Sequence, residues 1–430
     1  MNLLLLALAV VTLAWVLGAG ELLRRHRPVW HWCVSGYPVT TLRVLTTWRR
    51  LTVLTGLAVS KHPPRGLLTD LLIKSESLRP IPPRISFPRA TRLGLAVTVH
   101  LRPGQTPTVY MAASDALAHA WKVHAVRVTS PKRGLVVLTA LGSDPLARPA
   151  LATAPDTLLS AVVGIRESGL AWVMDLLEVP HWLITGATRS GKSTLLARLI
   201  IQLAPQRVAL VGIDCKGGME LGPFAPRLST LATSRREAID VLSALLVELQ
   251  QRMRLCRSHD VRSVWELHPK LRPIPVVVIV DELAELYLSD GTRENRTEAE
   301  RCSVSLLRLA QLGAALGIHL VVAGQRVGSD LGPGVTALRA QLGGRVCHRV
   351  NDPGTAEMTL GDLNKDAVVV AQSIGPDEAG VTVIADSGGV WERARSHRCT
   401  PKTAAAMAGK YAALTPRLRT LQGLPESGTA

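Results

Sequence analysis

The feature that most constrains the fold is a glycine-rich segment, GATRSGKST, near the middle of the 430-residue chain. A short apolar run beginning at His181 precedes it, and a helical pattern of apolar residues follows it. The pattern GxxxxGK[ST] between a strand and a helix is typical of phosphate-binding loops, because its glycines let backbone N–H groups turn toward phosphate oxygens. The helix N-terminus adds a partial positive charge at the same point. The sequence therefore predicts a nucleotide site in an α/β fold.

Nine consecutive residues form the predicted ATP-binding segment: Gly186, Ala187, Thr188, Arg189, Ser190, Gly191, Lys192, Ser193 and Thr194. Lys192 is expected to reach the β- and γ-phosphates, and the hydroxyl of Ser193 is expected to ligate Mg²⁺. The alternative is a glycine-rich turn between a strand and a helix that binds no ligand.

A buried strand is predicted within PIPVVVIVDELAEL, residues 273–286, because five consecutive β-branched residues are typical of a parallel strand covered on both faces. The strand ends in Asp281 and Glu282, and α/β sheets bind ligands at the carboxyl ends of their strands. Asp281 is predicted to hold the Mg²⁺ shell, and Glu282 to orient or deprotonate the attacking water. An earlier apolar strand ends at Asp214, with Lys216 just beyond it.

Two further segments supply candidate site residues. The apolar strand GIHLVVAGQRV ends in Gln325, whose amide is predicted to sense the γ-phosphate, or else to form a solvated cap of the strand. The segment GGRVCHRV carries Arg345 and Arg349. One of these arginines is a candidate for the residue that reaches a neighbouring subunit's nucleotide, and Arg349 is our choice. The alternative for each is a surface arginine or a contact to the DNA backbone.

The chain is basic, with 50 Lys and Arg against 33 Asp and Glu, a formal net charge of +17. This balance excludes an acidic protein with cationic partners and indicates nucleic acid or anionic lipid. Residues 1–150 hold 19 basic and 5 acidic side chains, whereas the remaining residues hold 31 and 28. The excess is therefore N-terminal, and much of it is predicted to attract anionic lipid.

The segment Leu3–Ala19 is uncharged and rich in Leu, Ala and Val. Its length approaches the roughly 30 Å hydrocarbon core of a bilayer, which predicts a single-pass anchor in the cell membrane. Arg24, Arg25 and Arg27 follow it and place the rest of the chain in the cytoplasm. A signal peptide or a buried helix is the alternative. Residues 41–59 predict an amphipathic helix, either at the lipid surface or in a protein core.

Five regions are predicted: a membrane anchor at 1–28, a basic juxtamembrane segment with a Pro-rich linker at 29–93, a small α/β domain at 94–160, a motor domain at 161–398 and a tail at 399–430. The residues from 164 to 176 within the motor domain predict a hairpin that turns at Ser168 and Gly169. The six cysteines are scattered, which argues against a zinc site and a disulfide framework and fits a reducing compartment.

Four motifs in this order resemble the FtsK/SpoIIIE family of ring-forming DNA translocases: the hairpin with PHWLITGATRSGKST, the strand ending at Asp214 and Lys216, VVVIVDELAEL, and GIHLVVAGQR. The resemblance covers roughly residues 94–395. It implies a RecA-like P-loop ATPase with a mostly parallel central sheet and a smaller α/β domain before it. It also implies homo-hexamers around double-stranded DNA and movement driven by ATP with Mg²⁺.

The chain departs from the family in several places. The family commonly has Gly at the position of Arg189 and Pro at that of Cys215, and we expect both departures to tune the site. The large chromosome-partition members have several membrane spans, a long linker and a C-terminal winged-helix module. Here one span is predicted, the linker is short, and about 35 residues follow Arg395, too few for such a module.

The compact form is similar to the conjugative-transfer (Tra) proteins of actinobacteria, which move double-stranded DNA between cells. The expected function is therefore that of a membrane-anchored, ATP-dependent translocase of plasmid or integrative-element DNA. The alternatives are a motor for chromosome segregation, a motor for secreted proteins, and a nucleotide-binding scaffold of a transfer complex that has lost hydrolysis. The single phosphate loop argues against the secretion motor, and the retention of Lys192, Ser193, Asp281 and Glu282 argues against the scaffold.

Overall fold

The computed structural model describes residues 32, 36–60, 80–91, 94–147, 157–386 and 388–423. The chain forms two compact units, residues 1–148 and 149–430. The predicted membrane anchor at 1–28 lies outside the described residues. Within the described ranges, none of the helices combines the length and the apolar character that a membrane span requires.

The first unit is built on a five-stranded antiparallel sheet, with three helices and a two-stranded ribbon in its described part. The ribbon pairs β1 (Val59–Ser60) with β2 (Pro80–Ile81). The sheet has the order β3-β5-β7-β6, and β4 also pairs with β5. Its strands are β3 (Arg84–Ile85), β4 (Arg89–Ala90), β5 (Gly94–His100), β6 (Ala125–Lys132) and β7 (Leu135–Leu141). The helices are α1 (Tyr37–Leu54), α2 (Pro107–Ala112) and α3 (Ser114–Trp121).

Helix α1 belongs to the core of this first unit. Val44 and Trp48 are buried there with Trp121 of α3, and the two indole rings lie 6.3 Å apart. The indole N–H of Trp48 donates to the carbonyl of Pro83 at 2.9 Å, which fixes the helix to the segment before β3. One face of α1 therefore packs in a protein core, while Val39, Leu42 and Val53 on the opposite face stay exposed.

The second unit is a mixed sheet of ten strands in the order β12-β11-β13-β14-β10-β15-β16-β17-β8-β9. The first six run parallel, and each later strand is antiparallel to its neighbour. Its strands are β8 (Ser160–Arg166), β9 (Ala171–Asp175), β10 (His181–Thr185), β11 (Ala209–Ile213), β12 (Thr230–Ala232), β13 (Val276–Val280), β14 (Ile318–Gly324), β15 (Gly344–His348), β16 (Val381–Ala385) and β17 (Trp391–Ser396).

Eight helices of the second unit connect or cover these strands in the described residues: α4 (Lys192–Leu203), α5 (Arg235–Ser258), α6 (Ala284–Tyr287), α7 (Arg293–Leu312), α8 (Val335–Gln341), α9 (Pro353–Leu360), α10 (Lys365–Gln372) and α11 (Pro401–Lys410). Apolar residues of α4 pack in one hydrophobic cluster, and those of α5 and α7 pack in another. Strands β10, β11, β13 and β14 are buried along their whole length because both of their faces are covered.

Two segments at the ends of this unit complete its sheet and core. Strands β8 and β9 form the predicted hairpin, and Gly169 has φ +81° at its turn. After residue 398, where we expected a tail, α11 buries Ala404 and Ala408 in the same cluster as the apolar face of α4. Helix α11, within the predicted tail, is therefore part of the core. The five cysteines of the described ranges are free thiols.

Candidate nucleotide site

The glycine-rich loop follows β10, which lies between β14 and β15 in the parallel part of the sheet. A Cβ at Gly186 would lie 2.6 Å from the Cβ of His348, and a Cβ at Gly191 would lie 2.8 Å from the Cα of Gly380. Gly191 also has φ +120°. The backbone N–H of Gly380 donates to the carbonyl of Ser190 at 2.9 Å, so the loop is joined to the residue just before β16. These close approaches require both glycines.

Helix α4 begins at the end of the loop, as the motif predicts. Its N-cap is Gly191, which provides no side-chain cap, so the first amides of the helix are free to bind an anion. Ser193 lies exposed in this first turn, with Thr194 beside it. The exposed hydroxyl and the uncapped amides suit the phosphates and the Mg²⁺ ion of a nucleotide.

Lys192 is the first residue of α4, and its ammonium group bends back over the loop. Its Nζ donates to the carbonyl oxygen of Gly186 at 2.5 Å and to that of Ala187 at 3.4 Å. Burial lowers the pKa of Lys192, and the negative charges of Glu282 and Asp281 oppose that shift. The ammonium therefore interacts with the loop and with both acidic side chains.

Arg189 adopts a backbone conformation that favours glycine. Its φ is +60°, in the left-handed region, and its side chain is exposed. For an L-residue with a Cβ this region costs roughly 1–2 kcal/mol. The conformation gives a physical reason for the Gly that the family commonly has at this position.

Asp281 and Glu282 follow β13 directly and are 6% and 7% exposed. Burial, together with the nearby charge of Asp214, raises the pKa of Asp281 to about 6, and the ammonium of Lys216 opposes this shift. One oxygen of Glu282, Oε1, accepts from the backbone N–H of Gln325 at 3.0 Å. The end of β13 therefore carries two buried carboxylates, whose negative charges act on the ammonium group of Lys192.

Lys216 is a site residue that has no role in the predictions from the sequence. Its Nζ lies 3.4 Å from Oε2 of Glu282 and 4.0 Å from Oδ2 of Asp281. It follows β11, which pairs with β13 in parallel, so the two strands end side by side. One signal in the sequence could have identified it. Lys216 is a basic residue just after the end of an apolar strand, and that strand precedes the one that ends in Asp281.

Gln325 contributes its backbone to the site, whereas its side chain is exposed. The contact of its N–H with Glu282 links the end of β14 to the end of β13. A role of the side-chain amide in sensing the γ-phosphate stays a prediction.

The two candidate arginines lie in different environments. Arg345 is buried, its Nη2 donates to the carbonyl of Arg339 at 2.6 Å, and burial lowers its pKa to about 10. The option that Arg345 reaches a neighbouring subunit is therefore wrong, because its guanidinium is enclosed by its own chain. Arg349 is half-buried, and its Nη2 donates to the carbonyl of Thr188 in the phosphate loop at 3.2 Å. Its reach to a neighbouring nucleotide stays a prediction.

Comparison with known proteins agrees with this geometry. The FtsK/SpoIIIE family model matches residues 146–273 and 266–329, and the model of the actinomycete conjugal transfer protein N-terminal domain matches residues 17–142. Transfer protein TraSA of Streptomyces ambofaciens is 44% identical over 347 residues, which cover 78% of this chain and 83% of that protein. DNA translocase FtsK of Campylobacter jejuni is 30% identical over 224 residues, which cover 49% of this chain and 22% of that protein.

A solved structure shares the fold. The conjugation coupling protein TcpA of pCW3, determined as a monomer with ATPγS, has a TM-score of 0.55 and 19% sequence identity. The likeness covers 84% of this chain and 98% of TcpA. The relationship to TraSA extends over most of both chains, and the family model includes the phosphate loop and the acidic strand end. This chain therefore belongs to the FtsK/SpoIIIE family, as a P-loop ATPase with the N-terminal domain of actinomycete conjugal transfer proteins.

Proposed function

We propose that this P-loop ATPase moves double-stranded DNA between cells during conjugation, as a membrane-attached ring of six identical chains. The observation that carries the proposal is the phosphate loop with Lys192, together with the buried carboxylates of Asp281 and Glu282, whose charges act on the Lys192 ammonium. The relationship to a transfer protein along most of its length supports conjugation as the process.

The chain's own residues have distinct tasks in ATP hydrolysis. The loop amides and the ammonium of Lys192 bind the phosphates, and Ser193 with Asp281 would hold Mg²⁺. The bound Mg²⁺ supplies positive charge that offsets the charge developing on the phosphates. Glu282, held at one oxygen by the N–H of Gln325, orients the attacking water and accepts its proton. Arg349 is our candidate for the arginine that completes a neighbouring subunit's site.

The DNA contact of the motor is expected to use a few placed side chains and not a broad basic face. Residues 151–430 are nearly neutral, with 31 basic and 28 acidic side chains. The strongly basic N-terminal residues serve a different partner in this proposal, the anionic surface of the cell membrane.

Helix α1 supports membrane attachment. Its exposed face carries Val39, Leu42 and Val53 together with Arg49 and Arg50, and its sequence contains no acidic residue. Apolar side chains flanked by arginines suit the interface of an anionic bilayer. The uncharged segment at residues 3–19 provides the proposed anchor, which leaves the motor in the cytoplasm.

The decisive experiment measures ATP hydrolysis by the full chain with linear duplex DNA, with single-stranded DNA of the same length, and without DNA. We expect duplex DNA to stimulate hydrolysis severalfold, and displacement of a bound third strand to report movement along the duplex. Lys192→Ala should abolish both, whereas Lys270→Ala, at an exposed residue of the same unit, should change neither. Hydrolysis that duplex DNA leaves unchanged would contradict the motor while leaving the ATPase intact.

Membrane attachment and ring formation need separate measurements. The full chain is expected to sediment with membranes after a high-salt wash, and a chain lacking residues 1–28 is expected to be released. Native mass spectrometry with duplex DNA and a non-hydrolysed ATP analogue should give six copies. A monomer under these conditions would contradict the ring, and sedimentation that does not depend on residues 1–28 would contradict the anchor.

A further inference from the structure

Lys216 lies beside Asp281 and Glu282. The proposed function assigns Mg²⁺ binding to Asp281 and orientation of the attacking water to Glu282. Its Nζ is 3.4 Å from Oε2 of Glu282 and 4.0 Å from Oδ2 of Asp281. Both carboxylates are buried, whereas the Lys216 side chain is 38% exposed. A partly solvated ammonium that pairs with two buried carboxylates can change partners at a modest desolvation cost.

The backbone around Lys216 is held in place by Asp214. The Asp214 carboxylate is fully buried and accepts from the backbone N–H groups of Lys216 at 3.3 Å, Glu220 at 2.8 Å and Leu221 at 3.0 Å. Gly217 and Gly218, with φ of +75° and +73°, then turn the chain back. The backbone position of Lys216 is thus set by the sheet and this turn.

Lys216 completes the support of Glu282. The backbone N–H of Gln325 holds Oε1, and the ammonium of Lys216 holds Oε2. Both oxygens of the carboxylate therefore have a donor from a neighbouring strand end, which limits the orientations that the side chain can adopt. A general base needs such an orientation, because small misplacements at a reacting centre cost large factors in rate.

The Lys216 ammonium competes with Mg²⁺ for the carboxylate of Asp281. A cation 4.0 Å from a carboxylate that is to ligate Mg²⁺ lowers the free energy gained when the metal binds. The ammonium of Lys192 and the buried carboxylate of Asp214 also act on this group of charges.

We propose that Lys216 is a positioning residue of the ATPase, which fixes Glu282 for water activation and competes with Mg²⁺ for Asp281. The inference rests on the roles that the proposed function gives to these two carboxylates. It makes two predictions of opposite sign: removing the ammonium slows hydrolysis and strengthens the contribution of Mg²⁺ to nucleotide binding. A merely structural role of Lys216 would weaken both.

The test uses Lys216→Met, which keeps the length of the side chain and removes its charge. We expect kcat to fall roughly 10- to 100-fold, with the KM for ATP changed less than about threefold. The second readout is binding of a fluorescent ADP with Mg²⁺ and with EDTA, at about pH 8, where a carboxylate with a pKa near 6 is ionised. The dissociation constant with EDTA divided by that with Mg²⁺ should rise about fivefold or more.

Three further variants keep the test decisive. Lys216→Arg retains a cation, so the ADP ratio should stay within about twofold of the wild type even if Lys216→Met does not fold. Lys270→Met is the matched control at an exposed lysine and should change neither readout. Glu282→Gln should slow hydrolysis by itself. If it does not, the role of Glu282 is wrong, whereas an unchanged kcat and ADP ratio in Lys216→Met alone would overturn the proposal for Lys216.

Discussion

The carboxylate of Glu282 and the backbone N–H of Gln325 are joined by a hydrogen bond of 3.0 Å between the ends of two adjacent parallel strands. Strand β13 pairs with β14 from Val276 opposite Ile318 to Val280 opposite Val322, so the residues that follow both strands meet at one edge of the sheet. Because the donor is a main-chain group, this contact does not depend on the side chain at position 325.

Glu282→Gln should separate chemistry from binding. The amide oxygen of Gln can still accept from the N–H of residue 325, but it cannot take a proton from water. We expect kcat for ATP to fall about 10²- to 10⁴-fold and nucleotide affinity to stay within about threefold, measured by steady-state hydrolysis and by fluorescent-nucleotide binding. A variant that hydrolyses ATP at more than a tenth of the wild-type rate would exclude Glu282 as the base.

Gln325→Ala tests the side-chain amide alone, because the main-chain donor to Glu282 remains. If the amide senses the γ-phosphate, the variant should bind ADP as the wild type does but lose about tenfold in affinity for a non-hydrolysed ATP analogue, as expected for a lost hydrogen bond to a charged group. Equal losses for both nucleotides, or none, would assign the exposed side chain to the solvated cap of β14.

Substitutions at Arg189 should report the strain of its left-handed conformation. Arg189→Gly removes the Cβ and is expected to raise the free energy of unfolding by up to about 1 kcal/mol, after allowance for the greater freedom of Gly in the unfolded chain. Arg189→Val should lower it by about 1 kcal/mol, because a β-branched residue adopts φ of +60° poorly. Guanidinium unfolding measures both. The same sign for the two changes would contradict the strain.

Acid should destabilise the second unit through its buried histidines. Burial lowers the pKa of His181 and His319 to about 4 and that of His348 to about 3. In the unfolded chain each takes up a proton near pH 6.5, whereas the native state does not. The free energy of unfolding should therefore fall as the pH drops from about 6.5 to about 4, by up to about 1.4 kcal/mol per pH unit for each histidine.

Urea unfolding at several pH values checks this dependence. His319→Gln removes one titrating group. The unfolding free energy of this variant should therefore change less steeply with pH than that of the wild type, by up to the contribution of one histidine. An unchanged slope would mean that His319 is protonated in the native state over this range.

Helix α11 offers a matched pair of substitutions. Ala408 is 2% exposed and packs in the core, whereas Ala405 lies exposed on the same helix. Ala408→Glu should cost about 3 kcal/mol or more of unfolding free energy, because it buries a carboxylate without a partner. Ala405→Glu should change it by less than about 0.5 kcal/mol. Similar effects of the two substitutions in guanidinium unfolding would show that the helix does not pack as described.

The centre of the second unit could be predicted from the sequence because its signals are local. The glycine spacing from Gly186 to Gly191 and the five β-branched residues before Asp281 each specify an element within a few residues. Parallel strands buried on both faces also read as continuous apolar runs, which places Asp281 and Glu282 at the carboxyl edge without knowledge of the pairing.

The parts of the fold and of the site that could not be predicted depend on contacts between distant segments. Arginine is mostly found at protein surfaces, and only the packing of β15 against β10 and β16 shows that Arg345 is buried. The pairing of Lys216 with Glu282 requires that β11 lie beside β13. Periodicity gave two interpretations of α1, since the same amphipathic face suits lipid and a protein core. The contact of Trp48 with Trp121 shows that one face is in the core.

The hydrogen bond from Gly380 to the carbonyl of Ser190 has a mechanical consequence. It attaches the phosphate loop to the residue just before β16, and β16 is hydrogen-bonded to β17, which pairs with the hairpin of β8 and β9. A displacement of the loop is therefore transmitted through main-chain hydrogen bonds to the far edge of the sheet, with no side chain in the path. We therefore expect movement at the phosphates to be felt at a surface several strands away.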